Sequence, residues 1–76
     1  MKKWLQQRLV AFSRDELVNL FNEIAEYRRT GMLKGNKLES LESEVSEEFN
    51  TPAGENLRLV EDEILFEISR RYVTNA

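Results

Sequence analysis

Seventy-six residues, 41% of them apolar and none of them Cys or His, make one small domain that must hold its core without a disulfide or a Cys/His zinc site. The missing His also removes the commonest general base and the physiological pH switch. Charge is divided by position: residues 1–37 carry eight Lys/Arg against four Asp/Glu, residues 38–69 carry ten acids against Arg58 alone, and Arg70 and Arg71 bring the total to −3.

A division of this kind speaks to the steering of partners more than to fold. No stretch approaches the roughly 18 apolar residues of a membrane span. The apolar run Leu9–Phe12 is too short for the core of a signal peptide. A cytoplasmic protein with no membrane role is the expectation.

Apolar spacing is helical throughout, and no segment alternates as a strand does. The first helix is expected over about 2–12, with Leu5, Leu9 and Phe12 on one side and Trp4 beside them. Ser13-Arg14-Asp15-Glu16 spells a capping box, with Phe12 and Leu17 placed as a hydrophobic staple. It opens a second helix over about 14–30, whose apolar face is wide: Leu17, Leu20, Phe21, Ile24 and Ala25, flanked by Val18 and Tyr27. Gly31 suits the left-handed position after its end, with Met32 placed to fold back onto Tyr27. Met32 to Gly35 read as a connection.

Asn36, with Glu39 three residues on, suggests the N-cap of a third helix over about 37–49. This one is of another kind. Leu38, Leu41, Val45 and Phe49 form a narrow seam, and Glu39, Ser40, Glu42, Ser43, Glu44, Ser46, Glu47 and Glu48 surround it. Asn50 to Asn56 contain the only proline and read as an irregular turn. A fourth helix follows over about 57–73. At about 100° per residue, Leu57, Val60, Ile64, Leu65, Ile68 and Tyr72 share one arc, together with Glu61 and Arg71. Leu59, Phe66 and Val73 lie nearly opposite. The fold class is therefore all-α, a single-domain bundle of three or four helices, whose last helix is either central or shared with another subunit.

Little of this supports catalysis or cofactor binding. Glu61-Asp62-Glu63 and Glu47-Glu48 read as solvated helical faces, whereas a two-carboxylate hydrolase needs a partly buried acid. No segment has the spaced ligands of a calcium loop, and Gly31, Gly35 and Gly54 match no phosphate-binding motif. Two helices around a glycine-containing connection suggest a helix-turn-helix, but its recognition helix would carry five Glu, which phosphates repel. Lys2, Lys3, Arg8, Arg28, Arg29, Lys34 and Lys37 would serve a nucleic acid only if the fold gathered them. Glu61 and Arg71 read either as rim or fraying positions of the last helix or, for Glu61, as one half of a pair with a base from the first or second helix.

Phe12-Ser13-Arg14-Asp15-Glu16-Leu17, followed by Leu20 and Ile24, resembles the opening helix of colicin-type nuclease immunity proteins. Thr51-Pro52-Ala53-Gly54-Glu55-Asn56-Leu57 is similar to the Pro-Ser-Gly-Ser-Asp-Leu turn of that family, at a similar distance downstream. Where the family has paired tyrosines after this turn, the chain has Arg58-Leu59. The resemblance implies an acidic four-helix inhibitor of a nuclease, with Glu39, Glu42, Ser43 and Glu47 facing a basic toxin domain.

The functional expectation is binding, not enzyme activity and with no cofactor or metal. Its partner is another protein, basic in character, met through Glu39, Glu42, Ser43 and Glu47. The alternative is a homodimeric structural or accessory protein of phage or plasmid kind, joined through Leu59, Phe66 and Val73.

Overall fold

The computed structural model describes residues 1–33 and 36–75, with side chains as far as Val73; Lys34 and Gly35 of the expected connection lie outside the described residues. The chain is an all-α bundle of four helices: α1 (Lys2–Val10), α2 (Arg14–Thr30), α3 (Lys37–Glu48) and α4 (Leu57–Asn75).

Local chemistry sets each boundary. At the start of α2 the Ser13 Oγ accepts the Glu16 amide at 3.1 Å, and the Glu16 carboxylate accepts the Ser13 amide at 2.8 Å. These two bonds satisfy amides that no helical carbonyl can reach. The Ser13 amide, and after it the Ser13 hydroxyl and Lys37, hold the Glu16 carboxyl below its ordinary pKa. Gly31 ends α2 in the left-handed region at φ 72°, its amide donating to the Tyr27 carbonyl at 2.7 Å. Met32 does not fold back onto Tyr27. Its amide donates to the Thr30 Oγ at 3.2 Å, and its side chain stays exposed.

The helix α1 stops two residues short of the expected end. Ala11 and Phe12 close it with tighter bonds, to the Arg8 and Leu9 carbonyls. The carbonyls at this end find a further donor far along the chain: Arg71 Nη2 donates to the carbonyls of Leu9, Val10 and Phe12 at 3.2, 3.2 and 2.8 Å. Glu67 holds that guanidinium through Arg71 Nε at 2.6 Å.

At the start of α3 two acceptors serve two amides. Asn36 Oδ1 takes Glu39 N–H at 3.0 Å, and the Glu23 carboxylate of α2 takes Leu38 N–H at 2.7 Å. The helix ends with Asn50 at φ 53°, the Thr51 amide reaching back to the Ser46 carbonyl at 2.9 Å and the Asn50 amide to the Glu47 carbonyl at 3.4 Å. This is the Schellman arrangement, with Asn in the place glycine usually takes. Residues 51–56 then turn through Gly54 at φ 88°, and Asn56 O accepts the Val60 amide to begin α4.

The core is aliphatic: Leu5 and Leu9 of α1; Leu17, Leu20 and Ile24 of α2; Leu38, Leu41 and Val45 of α3; Leu57, Val60 and Ile64 of α4. Helix α4 is central, packing against all three others. The molecule measures 38 × 28 × 16 Å, so its thin dimension is about two helix layers at the usual 8–10 Å spacing. A central helix in so thin a body keeps one bare side.

The same thinness corrects two expectations. Of the wide apolar face of α2, only Leu17, Leu20 and Ile24 are buried; Phe21 is 48% exposed and Ala25 is exposed as well. Tyr72, placed by periodicity in the main arc of α4, is 76% exposed.

Candidate protein-binding face

On α3 the inward arc runs from Leu41 through Val45 and Leu38. Steps of about 100° put Glu39, Ser43 and Glu47 on the side away from it, four residues apart. The structure brings these three together around a shallow hollow of about 640 Å³, closed at one end by Asn50, Thr51 and Ala53 of the following turn. Ser43 and Glu47 are exposed and Glu39 half-buried. Among the described residues no cation pairs with Glu39, Glu47 or Glu48.

Glu42, the fourth member of the expected set, is not on this face. It is 3% exposed, and its Oε2 accepts both the Ser46 hydroxyl at 2.8 Å and the Asn56 amide at 3.1 Å. Around it Asn56 Nδ2 donates to Thr51 Oγ1 at 2.6 Å, and the Ser46 hydroxyl also reaches the Pro52 carbonyl at 3.4 Å. Glu42 therefore fastens the turn 51–56 and the first residue before α4 onto α3. A carboxylate so placed cannot meet a partner.

The positive half of the chain is largely spent inside the molecule. Arg8 of α1 pairs with Glu44 of α3 at 2.6 Å, and Arg28 of α2 pairs with Glu61 of α4 at 3.2 Å. Lys2 lies 4.0 Å from Glu63, which also accepts Gln6 Nε2 at 2.9 Å. Lys37 pairs with Glu16 at 3.4 Å, over the Phe12 ring, and Arg29 with Glu26 at 2.7 Å. No single basic patch results among the described residues; Lys34 lies outside them. Arg8 also stands over the Trp4 ring, which meets Phe49 edge-on at 5.7 Å, so α1 and the end of α3 are joined by an aromatic clasp.

The acids of α4 correct the reading of a solvated face. Glu61, Glu63 and Glu67 are all buried, and only Asp62 is exposed. Glu61 and Glu63 each turn to a different neighbour: Glu61 to α2, Glu63 to α1. Arg70, hydrogen-bonded at 2.6 and 3.1 Å, does most to hold the Glu67 carboxyl below its ordinary pKa, and Arg71 adds to it.

Of the stripe expected to join two subunits, Leu59 is half-buried against the core, whereas Phe66 and Val73 are 55% and 72% exposed. No helix among the described residues is long and apolar enough to cross a membrane, and none of their His, Cys, Asp or Glu side chains gather in a group fit for a metal ion. No protein-family model, curated protein or solved structure matches the chain.

Proposed function

We propose that this chain is a small acidic protein-binding module of the cytoplasm, which docks a basic surface of a partner protein through the outer face of α3 and works by binding, not catalysis. Glu39, Ser43 and Glu47 carry the contact. An inhibitor of the bacteriocin-immunity type is its most concrete form, suggested by the resemblance of residues 12–24 and 51–57. The observation that supports the reading is that Glu39, Glu47 and Glu48 have no cation among the described residues, when almost every other acid of residues 38–69 on a packed face has its own donor.

A Lys or Arg of the partner entering the hollow meets the carboxylates of Glu39 and Glu47 and the hydroxyl of Ser43. Glu44 on the rim is already shared with Arg8. Exposed charges of this sort accelerate encounter and set specificity, and salt weakens them. The test is capture of a partner from native lysate at low and high salt. A basic protein is retained at low salt by the natural chain and lost by Glu39→Lys/Glu47→Lys. Retention of nothing basic, or indifference to the double reversal, sinks the proposal.

The exposure of Phe66 and Val73 supports a second reading, a self-associating accessory protein joined along the bare side of α4. It now rests on two residues, since Leu59 belongs with the core. Sedimentation as a monomer at high micromolar concentration removes it.

A further inference from the structure

Beyond the face on α3, a second surface is built for a ligand of opposite character. The helices α2 and α4 run antiparallel, with Arg28 beside Glu61 at one end and Arg14 beside Arg71 and Tyr72 at the other. Between them lies an open groove of about 650 Å³. Its floor is Leu17 and Ile68, and its walls are Val18, Phe21 and Tyr72, of which the last three remain 47%, 48% and 76% exposed.

Along α2 the groove side reads Arg14, Val18, Phe21, Ala25, Arg28. This is the alternating spacing of four and three that faces a neighbouring helix. From Arg14 to Arg28 it spans about 21 Å, or about four helical turns.

We infer that the groove between α2 and α4 is a docking site for an amphipathic helical segment of a partner protein, whose apolar stripe is flanked by Asp or Glu. Charge decides among the occupants. Arg14 and Arg71 line one end of the groove, and Arg14 has no ion pair among the described residues, whereas Arg28 beyond the other end is already held by Glu61. A second copy laid on this seam in the parallel direction would bring Arg14 against Arg14, which is unfavourable, and in the antiparallel direction would meet Glu61 only in competition with Arg28. A lipid surface suits an apolar ridge better than a hollow, since a flat layer does not reach Leu17 and Ile68 on the floor. A helix with apolar side chains at i, i+3 or i+4 and i+7 reaches the floor, and acidic flanks meet the arginines.

The probe is a synthetic helical peptide of about 16 residues, enough for about four turns, with a Leu/Phe stripe and Glu flanks. Its lysine-flanked counterpart serves as the control, and each is titrated into the isotope-labelled chain. The acid-flanked peptide should shift the amides of residues 14–21 and 68–72, with affinity about tenfold above the lysine-flanked one. Arg14→Glu should reverse that preference while raising the unfolding midpoint, because an acid suits the first turn of a helix. Phe21→Ser, with its helical content checked by circular dichroism, should weaken both peptides. The inference is overturned if neither peptide shifts those amides, or if both bind equally. It is also overturned if phosphatidylglycerol vesicles or the chain's own self-association perturb the same residues instead. Loss of capture in the α3 charge-reversal experiment leaves this outcome untouched, since the two surfaces share no residue.

Discussion

Removing the Glu42 side chain separates an internal brace from a surface charge. In Glu42→Ala the Asn56 amide loses its acceptor in a buried site, which costs about 1–3 kcal/mol. The Ser46 hydroxyl keeps only the longer contact to the Pro52 carbonyl at 3.4 Å, and the vanished methylene adds about 0.8 kcal/mol. Against this stands relief from burying a carboxylate that has no cation beside it, worth a few kcal/mol. The relief offsets much of this cost, and the net expectation is a loss of about 1 kcal/mol, which in a domain of this size lowers the melting temperature by about 4–8 °C.

Glu42→Gln behaves differently. Both donors address a single oxygen, Oε2, so an amide oxygen in that position retains both bonds, and the change should stay within about 1 kcal/mol. Urea unfolding followed by far-ultraviolet circular dichroism measures all three proteins, with Glu47→Ala as an exposed control expected within about 0.5 kcal/mol of the natural chain. Glu42→Ala matching that control would refute the brace.

Three further outcomes follow from the same contacts. Arg71→Met should destabilise by about 2–3 kcal/mol in urea unfolding, because three carbonyls at the end of α1 and the buried Glu67 lose a donor together. Ser13→Ala should cost about 1 kcal/mol by the same assay, through loss of the α2 cap. For Glu67 the folded-state pKa is depressed, chiefly by the hydrogen bond to Arg70 and then by Arg71. Its contribution to stability is thus present above the unfolded value near about 4.3 and is lost as pH falls through the folded value. Glu67→Gln should flatten the acid limb of the stability profile below about pH 4.3, and an unchanged limb would count against the pairing.

Where a feature depended on residues close in sequence, it was legible. The capping box at Ser13 and the narrow seam of Leu38, Leu41 and Val45 follow from spacing alone, and both stand in the structure. The partner of Glu61 was legible in kind, a base from the first or second helix, because a charge in an apolar arc needs one; the structure supplies Arg28 of α2.

Glu42 was misread although a signal was present. It lies about 40° from Leu38 on the helical wheel, nearer the seam than Ser46 or Glu39. What draws it inward is the Asn56 amide, fourteen residues on, and no local pattern announces such a donor. Glu63 was hidden likewise, since its partners Gln6 and Lys2 become neighbours only when α1 lies along α4, whereas the partners of Glu67, Arg70 and Arg71, stand three and four residues on along α4 itself. Phe21, Ala25 and Tyr72 failed for another reason. Periodicity reports which side of a helix is apolar, not how much of that side a bundle about two layers thick can cover.

The charge division is changed by the same contacts. Arg8, Arg28 and Lys2 answer acids of the later half within the molecule, and Glu42 is taken up by the Ser46 hydroxyl and the Asn56 amide, leaving Glu39, Glu47 and Glu48 as the acids of α3 with no cation among the described residues and no part in that brace. The most direct test of that remainder is quantitative capture of a basic partner by the natural chain and by Glu39→Lys/Glu47→Lys, at low salt and at about 1 M salt. Strong capture at low salt, abolished both by the reversal and by the added salt, is the expected result. Capture that survives the reversal would contradict the assignment of function to the outer face of α3.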